Sequence, residues 1–292
     1  MNIIGAEVFC LEIEVVSMEA KELLQNGQLD EALAELEGQI RNDPSNAKLR
    51  VFLFQLLSVL GDWKRALTQL NVAAELDSIN LLMAQVCRAA LNCEALRAEI
   101  FAGKRSPLIF GEPAEWIGWL VQANQMIAEG KYQASQEIRE RAFEAATAIA
   151  GTVDGKPFEW ISDADSRLGP ILEAIFDGKY YWVPFTAIKR IQIEPPADLR
   201  DVVWLPAHFT WVNGGETAGL IPTRYPNSQT SKDSAILLAR KTDWIEQPGE
   251  LYLGLGQRML ATDTDEFPLL QIRQINLEHS ETDLQGGETN NG

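Results

Sequence analysis

The sequence predicts a multidomain α and β chain: an N-terminal α-α superhelix of repeated helix pairs, followed by a compact, mostly β (α+β) C-terminal domain. Two observations predict it. The first is a self-match at a fixed offset of 34 residues, in which Gly27-Gln28-Leu29-Asp30-Glu31-Ala32-Leu33 realigns with Gly61-Asp62-Trp63-Lys64-Arg65-Ala66-Leu67. The match continues with Leu36 onto Leu70, Asp43 onto Asp77 and Asn46 onto Asn80. A period of this length, with two helices per unit, marks a stacked helical array. The second is a change of character after Gly151, where Pro becomes denser, helical spacing fades and short alternating runs appear. The expected divisions are an N-terminal extension over 1–17, helical repeats over 18–150, a β-rich domain over 151–279 and a disordered tail over 280–292.

Each element of the helical half has a local cause. Gly27 and Gly61 close the first helix of each pair, where a left-handed C-terminal position costs glycine nothing. Leu29 and Trp63 follow as apolar anchors, and Ala32 and Ala66 sit where paired helices approach too closely for a larger side chain. Leu33, Leu36 and Ile40 keep one face apolar. Asp43-Pro44-Ser45-Asn46 ends the second helix, and Asn46 can cap the next. Helical spacing continues from Asn80 to Ala102, although the Gly-x-aromatic turn is missing where it is due. A shifted unit follows, with helices from Ala114 to Ala128 and from Tyr132 to about Ile149 around Gly130. The period and the recurring small residues resemble the tetratricopeptide repeat, which implies a binding scaffold.

The second half reads as short strands: Tyr181 to Phe185, Ile188 to Ile193, Val202 to Leu205, His208 to Val212, Leu220 to Pro222, Ala235 to Ala239, Glu250 to Leu255, Arg258 to Thr262 and Leu269 to Leu277. Asn213-Gly214-Gly215 is a hairpin turn. One helix is expected, from Pro170 to Asp177, ended by Gly178. The sheet is expected to curl or close. The first seventeen residues are apolar and β-prone without a basic start, so a secretory signal is rejected; an extra strand and a true start at Met18 both remain open.

Composition narrows the function classes. The formal charge of −17 argues against sequence-independent nucleic-acid binding and suits either a basic partner or solubility alone. Cys10, Cys87 and Cys93 form no C-x-x-C pair, which fits a reduced, cytoplasmic protein. No apolar run approaches the roughly 18–20 residues that cross a bilayer, so no membrane insertion is expected. No cofactor and no metal are expected, since no phosphate loop and no zinc spacing occur. Catalysis has only His208 and His279 to draw on, without a Gly-x-Ser-x-Gly turn. Asp163-Ala164-Asp165 has the form of a D-x-D metal site; it also suits a turn in which Ser162 or Asp163 caps backbone donors and an Asp pairs with Arg167. Arg200, between Asp198 and Asp201, suits an internal ion pair.

Four segments carry a more specific resemblance: Trp160 to Glu173 (Trp-Ile-Ser-Asp-Ala-Asp-Ser-Arg-Leu-Gly-Pro-Ile-Leu-Glu), Asp198 to Ala207 (Asp-Leu-Arg-Asp-Val-Val-Trp-Leu-Pro-Ala), Ile221 to Pro226 (Ile-Pro-Thr-Arg-Tyr-Pro) and Gly256 to Asp263 (Gly-Gln-Arg-Met-Leu-Ala-Thr-Asp). In this order, behind helical repeats, they resemble the ImpE/TagJ (SciE-type) accessory proteins of bacterial type VI secretion systems. The extension before Met18 and Asn227 in place of an expected Gly depart from the pattern. The resemblance implies a non-enzymatic adaptor that binds an amphipathic N-terminal helix of the small sheath subunit, a ClpV-type AAA+ ATPase, or both, and so assists or regulates sheath disassembly. Asp30, Glu31, Glu35 and Glu37 are then candidate neighbours for a basic partner, or only a solvated helix face. Arg224 and Arg258 either tie loops or contact a partner. A homodimer would bury apolar surface left by the degenerate middle repeat. The alternatives are a generic repeat scaffold or co-chaperone, clamping carboxylates with Lys21, Lys48 and Arg50, and a small hydrolase or sugar-binding site using Asp163, Asp165 or His208.

Overall fold

The computed structural model describes residues 18–279. The N-terminal extension, with Cys10, and the polar tail lie outside the described residues. Seven helices come first: α1 (Met18–Gln25), α2 (Leu29–Asn42), α3 (Ala47–Leu60), α4 (Trp63–Leu76), α5 (Leu81–Phe101), α6 (Glu115–Ala128) and α7 (Tyr132–Ala145). α1 packs on α2, α3 on α4 and α6 on α7 as helix pairs. Gly27 and Gly61 both take φ +76°, so the residues that revealed the period adopt one backbone conformation. Ala32 and Ala66 are fully buried. Asn46 accepts from the Leu49 amide (3.3 Å) and Asp62 from the Arg65 amide (3.1 Å), capping α3 and α4.

The rest is mostly β. A two-residue strand from the helical half, β1 (Leu108–Ile109), joins β2 (Gly151–Val153), β3 (Lys156–Phe158), β5 (Ile171–Phe176), β6 (Lys179–Pro184), β7 (Ile188–Ile193), β8 (Trp204–Trp211), β9 (Glu216–Pro222) and β14 (Gln274–Leu277) in a nine-stranded sheet. Its order is β1-β6-β5-β9-β8-β7-β14-β2-β3, antiparallel except at β1–β6. β4 (Ile161–Asp163), β12 (Met259–Thr262) and β13 (Glu266–Pro268) form a three-stranded sheet, and β10 (Thr242–Gln247) with β11 (Leu251–Gly256) a ribbon. Among the described residues the large sheet ends at unpaired edges, β1 and β3, so it is open and not closed.

Three expected elements are corrected. The helix expected from Pro170 to Asp177 is strand β5, hydrogen-bonded to β6 on one side and β9 on the other. Its Leu, Glu and Ala suit a helix, but all six residues are buried, and a strand covered on both faces is a continuous apolar run without alternation. Ala235 to Ala239 is largely helical: α8 (Ser234–Leu237) is capped by Asp233, which accepts from the Ala235 amide at 2.8 Å. Val202 closes a 3₁₀ turn (Leu199–Val202) ahead of β8. The Asn213-Gly214-Gly215 turn joins β8 to β9 as expected.

One apolar cluster crosses from helices to sheet, with Leu56, Leu57, Ala90 and Leu91 packed together with Trp182, Trp204 and Leu237. Trp63, the repeat's aromatic anchor, lies 5.9 Å from Trp204 between ring centres. The repeat glycines serve this packing as well as their own turns. A side chain at Gly27 would meet Ser234 at 2.5 Å, and one at Gly61 would meet Gln229 at 2.6 Å. A second cluster, including Val183, Phe209, Leu260 and Ile275, fills the remaining space around the sheets.

Gly254 and Gly118 test how tightly the β part is packed. A Cβ at Gly254 would lie 2.2 Å from the buried Tyr225 ring, whereas one at Gly118 meets nothing within 4 Å. Tyr225 is held by a hydroxyl bond to the Met259 carbonyl and has nowhere to move. Gly254→Ala is expected to destabilise by about 1–3 kcal/mol through overpacking. Gly118→Ala, in the exposed middle of α6, is expected to stabilise by about 0.5–1 kcal/mol. Urea denaturation of both variants checks the pair, and equal midpoints would contradict it.

Candidate functional site

The sequence singles out Asp163, Asp165, Arg167, Arg224 and Arg258, and the structure gathers them in one buried region where helices meet sheet. The chain enters it from β4 through a tight turn. Asp163 accepts from the Asp165 amide (2.8 Å), and Asp165 accepts from the Arg167 amide (2.9 Å) and from the Arg167 guanidinium (2.8 and 2.6 Å). The other side of Asp165 accepts from the Gly254 amide at 2.7 Å. This is the capped turn with an Asp–Arg pair, one of the two readings the sequence left open. All four carboxylate oxygens of the D-x-D segment are occupied by the protein's own donors, since Asp163 also holds Arg258.

Arg258 is the second component. Its fully buried guanidinium bridges Asp163 and Glu173, and its Nε donates to the Pro222 carbonyl at 2.9 Å. Glu173, in the middle of β5, also takes Arg97 of α5 in a two-point contact (2.5 and 2.9 Å) and the Tyr180 hydroxyl. Arg97 reaches on to the Arg224 carbonyl at 2.8 Å and lies 3.6 Å from Glu94, which accepts from the Trp204 indole at 2.9 Å. Arg224 donates to the carbonyls of Val59 (2.8 Å) and Ser58 (3.3 Å) in α3 and of Leu237 (2.6 Å). Asn124 of α6 donates to the Arg167 carbonyl at 2.8 Å. Four carboxylates (Glu94, Asp163, Asp165, Glu173) and four guanidiniums (Arg97, Arg167, Arg224, Arg258) thus share the region, all buried, with Arg224 bonded to carbonyls alone.

The burial corrects one expectation. Arg224 and Arg258 are 4% and 0% exposed with their donors turned inward, so they tie loops and offer no surface to a partner. Among the acidic candidates, Asp30 and Glu31 are exposed; Glu37 pairs with Arg65, and Glu35 accepts from Gln39 at 2.8 Å. Arg200 bonds Asp198 at 2.9 Å and approaches Asp201 at 4.0 Å, an internal pair. Arg50 is directed at Gln69 (2.8 Å) and the Pro44 carbonyl (3.2 Å), and so is not free to clamp a carboxylate. His208 lines a shallow groove of about 200 Å³ with Gln192, Thr210 and Glu216, to which Asp163 and Asp165 do not contribute. His208 therefore shares no pocket with the D-x-D carboxylates. Among the described residues, no group of three or more His, Cys, Asp or Glu side chains could hold a metal ion.

Sequence reasoning missed Arg97, Glu94 and Tyr180, and assigned no role to Glu173. A signal was present: Glu173 is the lone charge in the run Ile171 to Phe176, and a charge inside a wholly apolar strand must be paired.

The electrostatics follow from these contacts. Burial pushes both carboxyls upward. At Glu173 the guanidiniums of Arg97 and Arg258 reverse it, aided by Tyr180, and hold it at about 2. At Asp163 burial prevails over Arg258, with Asp165 adding to it, and the carboxyl is raised to about 6. Burial lowers Arg224 to about 10, since its donors meet carbonyls.

A helical-repeat array joined to an open β sheet through a buried network of charges defines an interaction scaffold of the tetratricopeptide class. A tetratricopeptide repeat model matches residues 23–78, and an ImpE protein model matches residues 155–276. The chain is 48% identical over 263 residues to the type VI secretion system accessory component TagJ of Pseudomonas aeruginosa, covering 90% of this chain and 92% of the relative. The chain belongs to the ImpE/TagJ family of type VI secretion accessory proteins. An X-ray crystal structure of a Vibrio parahaemolyticus protein superposes with a TM-score of 0.82 at 28% identity, over 90% of this chain and 99% of that one.

Glu173→Gln is expected to destabilise by about 3–5 kcal/mol at neutral pH, because two buried guanidiniums lose their shared carboxylate. The pH dependence has a definite sign. Glu173 lies below its ordinary 4.5, so its contribution is complete above that value and is lost as pH falls towards about 2. Asp163, raised from 3.8, acts oppositely: its contribution is present below 3.8 and lost as pH rises through about 6. Urea unfolding from pH 7 to 2 should show a shallower acid decline in Glu173→Gln than in the wild type. Parallel declines would contradict the assignment.

Proposed function

We propose that this protein is a non-enzymatic, cytoplasmic adaptor of the type VI secretion system. It binds the amphipathic N-terminal helix of the small sheath subunit, the ClpV-type AAA+ ATPase, or both, and so assists or regulates disassembly of the contracted sheath. The observation that carries this reading is the 48% identity to the accessory component TagJ, which spans the repeats as well as the β part. The geometry supports it in one respect: the polar residues of the family segments are engaged in holding helices to sheet, which leaves the exposed helix faces to meet partners. Binding is helix against helix, an amphipathic segment laying its apolar side on the repeat surface. Asp30 and Glu31, exposed at the start of α2, attract a basic partner from a distance.

Calorimetric titration with the N-terminal helix peptide of the cognate small sheath subunit, against a scrambled peptide, tests the reading. Saturable binding at micromolar Kd or tighter, on the order of −8 kcal/mol, is expected for the native peptide alone. Binding of the ATPase's N-terminal domain instead would move the role to that partner, and no binding of either would overturn the reading. Neutralising both acids, Asp30→Asn with Glu31→Gln, is expected to slow association several-fold at low salt and to leave dissociation almost unchanged. Stopped-flow rates at two salt concentrations check this.

A further inference from the structure

The helical array is interrupted at α5. The other helices form pairs, α1 with α2, α3 with α4 and α6 with α7, whereas α5 has no helix folded back on it among the described residues. After Phe101 the chain leaves through β1 for the large sheet. One side of α5 is committed to the core through Ala90, Cys93, Glu94 and Arg97. The outer side of its first turns is not: Leu82 is 74% exposed and Val86 45%, continuous in sequence with Ile79 at 81% and Leu76 at 42% in the approach from α4. Ile79, Leu82 and Val86 recur at three and four residues, the spacing of one helix face. With Leu81, these make up half of the exposed large apolar side chains among the described residues, all within eleven positions. A concentration of this kind marks an interaction surface.

Charge indicates the occupant. From Ala66 to Cys87 the chain carries no Lys or Arg, while Glu75 and Asp77 stand exposed beside the apolar residues. Arg88, the next cation, is turned to Asn71 at 2.7 Å. A second copy of this chain, itself at −17, would bring the same acids against one another. A partner with cations flanking its apolar face would not.

We infer that the outer face of α4–α5 seats a single amphipathic helix from a partner, basic at its flank, in the place where the array lacks a second helix. Its length is about that of α2, α3, α4, α6 and α7, which have 14 residues each. The inference rests on the adaptor reading and gives that reading a surface.

The test titrates the sheath helix peptide into the full chain and into three single variants, Leu82→Asp, Val86→Asp and, as a control on the exposed β10 edge, Ile245→Asp. All three positions are well exposed, so the variants should unfold at the wild-type temperature. Leu82→Asp and Val86→Asp are expected to weaken binding by about 30-fold or more, as loss of a central apolar anchor does, and Ile245→Asp to leave it unchanged. Wild-type binding that survives both α5 variants would overturn the seat and leave the adaptor reading standing. Failure of the wild type to bind the peptide would overturn the adaptor reading and the seat with it. Sedimentation showing a wild-type dimer that Leu82→Asp dissociates would give the face to a second copy and overturn the proposal. Hydrogen exchange that finds residues 79–86 protected only while residues 1–17 are present would give it to the chain's own N-terminal segment, with the same consequence.

Discussion

The arrangement of helices on sheet depends on the two-point contact between Arg97 and Glu173 and its continuation through Arg258 to Asp163. Hydrophobic burial between the two layers is large but has no direction. A guanidinium fork has a fixed geometry and meets a carboxylate in only a few orientations. Arg97 comes from α5 and Glu173 from β5 in the large sheet, while Arg258 lies beside β12 in the smaller one. The chain of contacts therefore sets how three layers meet. Its buried charges are balanced, four against four, and almost every donor is engaged. Such a network need not be more stable than an apolar substitute of the same shape, but losing one member is costly.

The docking of helices on sheet has a consequence for binding. α3 is buried continuously from Phe52 to Val59, and Arg224 crosses from the sheet side to bond carbonyls of its last turn. The turns at Gly27 and Gly61 lie against Ser234 and Gln229. The side of the array formed by these turns and by α3 is therefore occupied by the chain's own β part. What the array retains is its outer surface, and on it residues 76–86 carry the densest run of exposed apolar side chains among the described residues. A scaffold that uses one side to hold its own second half has only the other side left free.

The errors of sequence reasoning have a common origin. Residues 170–177 contain good helix formers, yet β5 is a strand because partners on both sides supply hydrogen bonds that no local preference can match. Leu108–Ile109 belongs to no element expected from the sequence, yet it pairs with β6 across more than seventy residues of chain. Arg224 and Arg258 suit either loop ties or partner contacts in the sequence; the structure buries both, since carbonyls and carboxylates distant in sequence converge on them. In each case the deciding neighbours lie far along the chain.

The sequence by itself determined the helical repeats, the strand-rich character of the second half, and the family. These are legible because they are local: a helix pair repeats its own spacing, and a left-handed turn requires glycine within a few residues of the helix it ends. Only the tertiary structure decided that the family's charged segments form an internal network, that the sheet of the described residues is open, and that among those residues no helix folds back on α5. The physical reason is that burial and charge pairing are properties of surfaces brought together by folding, and a linear pattern does not record which distant surface each side chain will meet.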